Sequence, residues 1–350
     1  KRPSVRPRGE ATSTEHKRRS KANFSALPMA LPTGKLIAIL LACCCSFVAC
    51  GEELEPLKTT RMRECDRSRI AAESGQAAEQ FDYGFVLEHG IDCPKDMAMA
   101  VKYYKKAALN GYAAAQNHLG VALLKGDGIA QDEQRALRWF RRAAKQGNVA
   151  AMNNLGNMLW HGEGIGQDNR EAVQWFKKAA AKGDAKSMNH LAYMLHYGLG
   201  VKKDTSAAFR WYSKAAEAGD ANAQNNLGSV LANGMEGFPK DPAAAVKWYL
   251  VAAHQGYAPA QNNLASLFRR GIGVAKSKAE AIRWYRRAAK QGLLAAKQNL
   301  RDMLHKDGGN GRPRGGSSDP DRTHMSRVKR AISLMHPTGA VHQVHKYVRS

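Results

Sequence analysis

An aspartate returns every 36 or 37 residues through the middle of this chain, at Asp96, Asp132, Asp168, Asp204 and Asp241. A row of carboxylates could gather a divalent cation or do general acid–base work. Their neighbours point to helix capping instead. Each aspartate precedes a helical apolar pattern. Asp168 has Glu171 three residues on, Asp241 is followed by Pro242, and Ser277 takes the place in the last copy with Glu280 behind it. Serine keeps a cap but would lose a cation.

Other residues with chemical potential read the same way. The glycine loops "GDGI", "GEGIG", "GLGV" and "GIGV" each follow a helical pattern rather than a strand, which is the wrong context for cradling a phosphate. The pairs Trp139–Phe140, Trp175–Phe176, Trp211–Tyr212, Trp248–Tyr249 and Trp284–Tyr285 could stack on bases, but they lie on an apolar stripe beside Ala-Ala. Both members of each pair are therefore expected in a core between units. His161, His190 and His196 show no metal-ligand spacing, so no metal and no cofactor are expected.

These residues belong to a unit written six times, for example "ALRWFRRAAKQG", "AVQWFKKAAAKG" and "AFRWYSKAAEAG". The closing glycines Gly111, Gly147, Gly183, Gly219, Gly256 and Gly292 are spaced by 36, 36, 36, 37 and 36 residues. In residues 148–183, Ala151, Leu155, Met158 and Leu159 mark a first helix. Ala172, Trp175, Phe176, Ala179 and Ala180 mark a second, ended by Gly183 as a left-handed cap. A fixed period of this length predicts a solenoid, in which no unit buries its apolar face alone.

The formal charge of +24 is shared unevenly. Residues 1–35 hold nine Lys/Arg against two acids and residues 306–350 nine against three, so the array between them is only mildly basic. Residues 1–28 and 306–350 have the composition of disordered basic segments, the first of which could precede the natural start. Met29 to Cys50, with "LIAILLACCCSFVAC", has the layout of a secretory signal. Its end, "FVACG", resembles a bacterial lipobox with Cys50 as the lipid acceptor, although Phe47 stands where leucine is usual. Cleavage after Gly51, a site at Cys43, or a buried apolar helix are the alternatives. Residues 51–61 read as a linker, and Cys65 and Cys93 could pair in an oxidising compartment.

The pattern A-x-x-x-x-L-G, G-x-G-V/I, D, A-x-x-W-Y/F-x-K-A-A-x-x-G resembles the Sel-1-like repeat, a relative of the tetratricopeptide repeat, over residues 76–292. Residues 62–75 look like a lone second helix and 293–305 like a lone first helix, which gives an array from 62 to 305. The resemblance implies an all-α, right-handed superhelical solenoid of antiparallel helix pairs. It also implies a non-catalytic scaffold for protein partners, often in the bacterial envelope.

Some secreted relatives are associated with beta-lactam binding or hydrolysis. Here the S-x-x-K at Ser326 to Lys329 lies in the basic tail without a following K-T-G. No small-molecule substrate is expected.

By the tetratricopeptide pattern, Asn117, Asn153, Asn189, Asn225 and Asn262 face a concave groove, where amides suit the backbone of an extended peptide. Asn157 and Tyr193 stand two residues after the leucine, and Trp160, His161, His196, Tyr197, Arg269 and Arg270 follow. The same asparagines could instead bond between repeats. The expected protein is an exported scaffold, periplasmic or lipid-anchored at Cys50, for a protein or peptide partner. The alternatives are secretion, or a cytosolic adaptor whose tails bind nucleic acid or acidic lipid.

Overall fold

The computed structural model describes residues 55–305, apart from Ile165. The signal segment with Cys50, both basic tails, and Ser326 with Lys329 lie outside the described residues. Helix α1 (Glu55–Glu73) comes first. Six pairs follow: α2 (Ala77–His89) with α3 (Met97–Leu109), α4 (Ala113–Lys125) with α5 (Glu133–Lys145), α6 (Val149–His161) with α7 (Asn169–Ala181), α8 (Ala185–Tyr197) with α9 (Thr205–Glu217), α10 (Ala221–Asn233) with α11 (Pro242–His254), and α12 (Ala258–Arg270) with α13 (Lys278–Lys290). Helix α14 (Leu294–His305) closes the series. Among the described residues there is no strand, and the helices from Thr59 onward belong to one unit. The architecture is an all-α solenoid of antiparallel helix pairs, in which each second helix also packs on the first helix of the next repeat.

Local chemistry sets the boundaries. The carboxylates of Asp96, Asp132, Asp168, Asp204 and Asp241, and the Ser277 hydroxyl, each accept from the backbone N–H three residues on and so cap the second helices. Asn148, Asp184 and Asp220 do the same for three first helices, caps that the period alone did not reveal. The closing glycines have φ between 88° and 93°. Asp92 holds the corresponding left-handed position in the first loop at φ 55°, where later repeats have Gly128, Gly164, Gly200 and Gly273. Aspartate tolerates that region better than most residues.

Two expectations are corrected here. The presumed linker 51–61 is helical from Glu55, because Pro56 falls in the first turn, where its missing N–H costs nothing. The aromatic pairs are not buried alike. Tyr104, Phe140, Phe176, Tyr212, Tyr249 and Tyr285 fill the core, whereas Trp139, Trp175 and Trp211 are half-buried. The outer indole faces are covered by cations three residues on, Arg142 at 4.7 Å, Lys178 at 4.2 Å and Lys214 at 4.9 Å. Only Trp248 and Trp284 are themselves buried. The helical turn puts two adjacent residues 100° apart, so one ring points inward and its neighbour lies along the flank.

The inward ring fits because the first helix offers no side chain opposite it. A methyl added at Gly84, Gly120, Gly156 or Gly228 would stand 2.8, 2.7, 2.6 or 2.9 Å from the ring of Tyr104, Phe140, Phe176 or Tyr249. Ala192 and Ala265 take this place in the fourth and sixth repeats, where Tyr212 and Tyr285 face them. Phe176→Ala should therefore lower stability by about 3–5 kcal/mol, and Trp175→Ala by roughly 1–2 kcal/mol, since it loses partial burial and one cation contact. Chemical denaturation followed by circular dichroism checks the order; equal losses would show that both rings carry the core.

Candidate functional site

The first helices bring the expected site residues together, and polar ladders join them. Asn154 donates to the Asn117 carbonyl at 2.9 Å, Asn226 to Asn189 at 2.9 Å, Asn263 to Asn225 at 2.9 Å and Asn299 to Asn262 at 3.0 Å. Each bond links one first helix to the next. Asn117, Asn153 and Asn189 are buried, and Asn225 and Asn262 are half-buried. These amides thus hold neighbouring repeats in register. Asn157 donates to the Asn153 carbonyl at 3.1 Å and extends the network outward.

A second ladder is built from glutamines that recur at one position of the repeat, Gln80, Gln116, Gln224 and Gln261, a signal the sequence reading did not use. Gln116, Gln224 and Gln261 each donate to a carbonyl in the last turn of the preceding helix, at Ala108, Ala216 and Ala253. Each also accepts from a glutamine that ends the following second helix: Gln146 at 2.7 Å, Gln255 at 2.7 Å and Gln291 at 2.9 Å. A buried amide bonded on both sides fixes geometry more strictly than an apolar contact.

The glutamine ladder lapses in the third and fourth repeats, and the asparagine ladder lapses where these two repeats meet. Met152 and Met188 replace the glutamines, and His190 stands where its neighbours have asparagine. Asn153 turns to the buried Ser187 hydroxyl at 2.8 Å. Burial holds the His190 imidazole down, to about 4, so it stays neutral near neutral pH, packed on Phe176 and edge-on to Trp160.

An aromatic strip occupies this gap. Trp160 lies 5.4 Å from Tyr193, Tyr193 lies 4.5 Å from Tyr197, and His196 stacks on Tyr197 at 4.5 Å. Burial also pushes the His196 imidazole down. Beside the strip, Tyr193, His196, Tyr197, Tyr212, Ser229 and Asn233 line a cleft of about 220 Å³ between the fourth and fifth repeats. Tyr197 is 57% exposed at its mouth. Aromatic walls with a few amide and hydroxyl groups suit an apolar side chain whose backbone needs hydrogen-bond partners.

The first repeat presents a smaller aromatic group. Phe81 replaces the ladder asparagine and meets the rings of Tyr104, Tyr112 and His118 at 5.2–5.6 Å. Burial would raise the Glu88 carboxyl, but hydrogen bonds from Tyr104 and His118 outweigh it and hold the group below its ordinary value. Cys65 and Cys93 form a disulfide that ties α1 to the first loop. Among the described residues no three His, Cys, Asp or Glu side chains gather around a common point.

Stacked helix pairs with an outward-facing polar and aromatic strip define a class of protein, the helical-repeat scaffold. The Sel1 repeat family matches residues 80–112, 113–148, 149–184, 185–220, 221–257 and 258–293, and the chain belongs to that family. Sel1-repeat proteins generally mediate protein–protein interactions.

Two solved structures are similar over most of the array. A Sel1 repeat protein from Oxalobacter formigenes is 35% identical with a TM-score of 0.59, covering 62% of this chain and 89% of its own. A protective antigen of uropathogenic Escherichia coli with the same fold is 33% identical with a TM-score of 0.58, covering 71% of this chain. The match spans 56% of that antigen's chain. No curated protein matches this one.

The ladder geometry has a measurable consequence. Replacing Asn153, Asn189 and Asn225 together with alanine leaves their partners unsatisfied, at roughly 1–3 kcal/mol for each buried site. The melting temperature should fall well before any binding is lost. A triple variant that melts like the parent would make these bonds incidental.

Proposed function

We propose that this chain is a non-catalytic scaffold that holds an extended segment of a partner protein along its first helices. An apolar side chain of that partner sits in the cleft between Tyr193, Tyr197 and Ser229. The observation that carries this reading is the aromatic strip that leads from the gap in the ladders to the cleft. The asparagine ladder is interrupted where the third repeat meets the fourth, and Trp160, Tyr193 and Tyr197 run from there to the cleft beside the fifth. Stacking alone gives no reason for a tyrosine as open as Tyr197, whereas anchoring an apolar side chain does. At the cleft itself, Asn226 and Asn233 supply amide groups for the partner's backbone.

Selection of peptides from a displayed random library on the folded chain tests this. Binders should lose at least about tenfold in affinity when Tyr193 and Tyr197 are both alanine, the usual loss for a central anchor; Tyr197→Ala alone, at an exposed ring, should weaken them with the melt unchanged. A library that yields no binder, or binders indifferent to both tyrosines, would place the interface elsewhere.

The location we propose is the bacterial envelope, with a lipid on Cys50. Two features support it: the signal-like run from Met29 to Cys50, and the bridge between Cys65 and Cys93, a bond that persists in oxidising compartments. Expression of the full chain in a bacterial host, followed by membrane fractionation, checks the anchor. Cys50→Ser should leave an unprocessed precursor that carries no lipid. Unchanged processing of Cys50→Ser would favour ordinary signal cleavage.

A further inference from the structure

The charge of the array is sorted by helix. The second helices, α3, α5, α7, α9, α11 and α13, hold nineteen Lys/Arg against four Asp/Glu. The first helices, α2, α4, α6, α8, α10, α12 and α14, hold six against four. A charge that is mild when averaged over the array is therefore strong on one set of helices. In α5 the cations Arg138, Arg141, Arg142 and Lys145 fall at i, i+3, i+4 and i+7, which is a single stripe. Lys102, Lys105 and Lys106 begin the same stripe on α3, and Lys177 and Lys178 continue it on α7.

Covering the outer rings explains one cation per helix and no more. Lys106, Arg142 and Lys178 stand over Tyr103, Trp139 and Trp175. Lys102, Lys105, Arg138, Lys145 and Lys177 are exposed and stack on no ring. Arg141 alone of this stripe reaches a carboxylate among the described residues, Glu171 at 3.1 Å. Lys145 lies in the last turn of α5, where the helix dipole favours a cation, but like charges repeated on neighbouring helices repel, so folding leaves most of the excess unexplained.

We propose that the face formed by α3, α5 and α7 docks on an anionic phospholipid surface. Charge complementarity favours that occupant, and so do the half-buried indoles of Trp139 and Trp175 that share the face with the cations. Indole beside a long basic side chain suits the headgroup layer, where an apolar body and a charged tip are both accommodated. The contact would be reversible and superficial, since each cation near such a surface strengthens binding by about fivefold and salt weakens it. This face lies on the second helices, apart from the cleft on the first helices, so both could be occupied together.

Co-sedimentation of the full chain with phosphatidylcholine vesicles, with and without phosphatidylglycerol, tests the proposal. The parent should bind the anionic vesicles and release them in high salt. Changing Lys102, Lys105, Arg138, Lys145 and Lys177 to glutamine should weaken binding by at least about tenfold, given the contribution of each charge. The same number of changes in the tail, at Arg312, Arg314, Arg322, Arg327 and Lys329, should cost less. A milder variant with only Lys105→Gln and Lys177→Gln guards against loss of fold, and circular dichroism verifies it. The proposal is overturned if the array variants bind like the parent while the tail variant does not. It also fails if phosphatidylglycerol makes no difference, or if duplex DNA binds more tightly than anionic vesicles.

Discussion

The structure depends on an aromatic ring meeting a bare backbone. In each of four repeats the second helix drives a Phe or Tyr ring to a place where the first helix carries glycine, and no methyl group would fit between them. That contact sets how closely the two helices of a pair approach. The Ala-Ala that follows each ring keeps the next helix equally near. Because the spacing is the same from unit to unit, short amides can reach from one first helix to the next. The asparagine and glutamine ladders rely on this close approach, which persists where Ala192 and Ala265 stand in place of the glycine.

The two sets of helices divide the remaining work. Second helices bury one ring, cover the neighbouring indole with a cation and display further charge outward. First helices carry almost no net charge and use amides to lock the stack. Where those amides give way to Met152, Met188 and His190, surface becomes available for chemistry that the stack does not need. The core itself reflects the change. Buried side chains from Ala72 to Met194 form one cluster and those from Ala192 to Met303 another, with Met188 and Trp211 packed against both.

Most of the fold was legible in the sequence because its signals are local and repeated. Period, capping aspartates and closing glycines act within one turn of their own helix, so six copies leave little ambiguity about where elements start and stop. Which ring of Trp175 and Phe176 faces inward was not legible. Both are large and apolar, and the choice rests on Gly156, which lies nineteen residues from Trp175 on another helix. The role of Asn153 and Asn189 stayed open for a related reason, since an amide reads alike whether it faces a partner or a neighbouring repeat. The cleft drew Tyr193, Tyr197 and His196 from the expected variable positions, but its far wall, Tyr212 and Asn233, required the packing of two repeats. The helix ahead of Met62 was missed because residues 51–61 carry no copy of the repeat pattern.

The bridge from Cys65 to Cys93 spans only 28 residues and joins the start of the array to its first loop. A chain that leaves the ribosome or crosses a membrane amino end first presents both sulfurs early, before the second repeat has emerged. The crosslink can thus close while the rest of the array is still being delivered, and among the described residues no other cysteine competes for either partner. Once closed, it offers each arriving repeat an already ordered surface to add to. An array that grew in one direction from that fixed end would use the covalent tie as a seed for stacking as well as a fastening for α1.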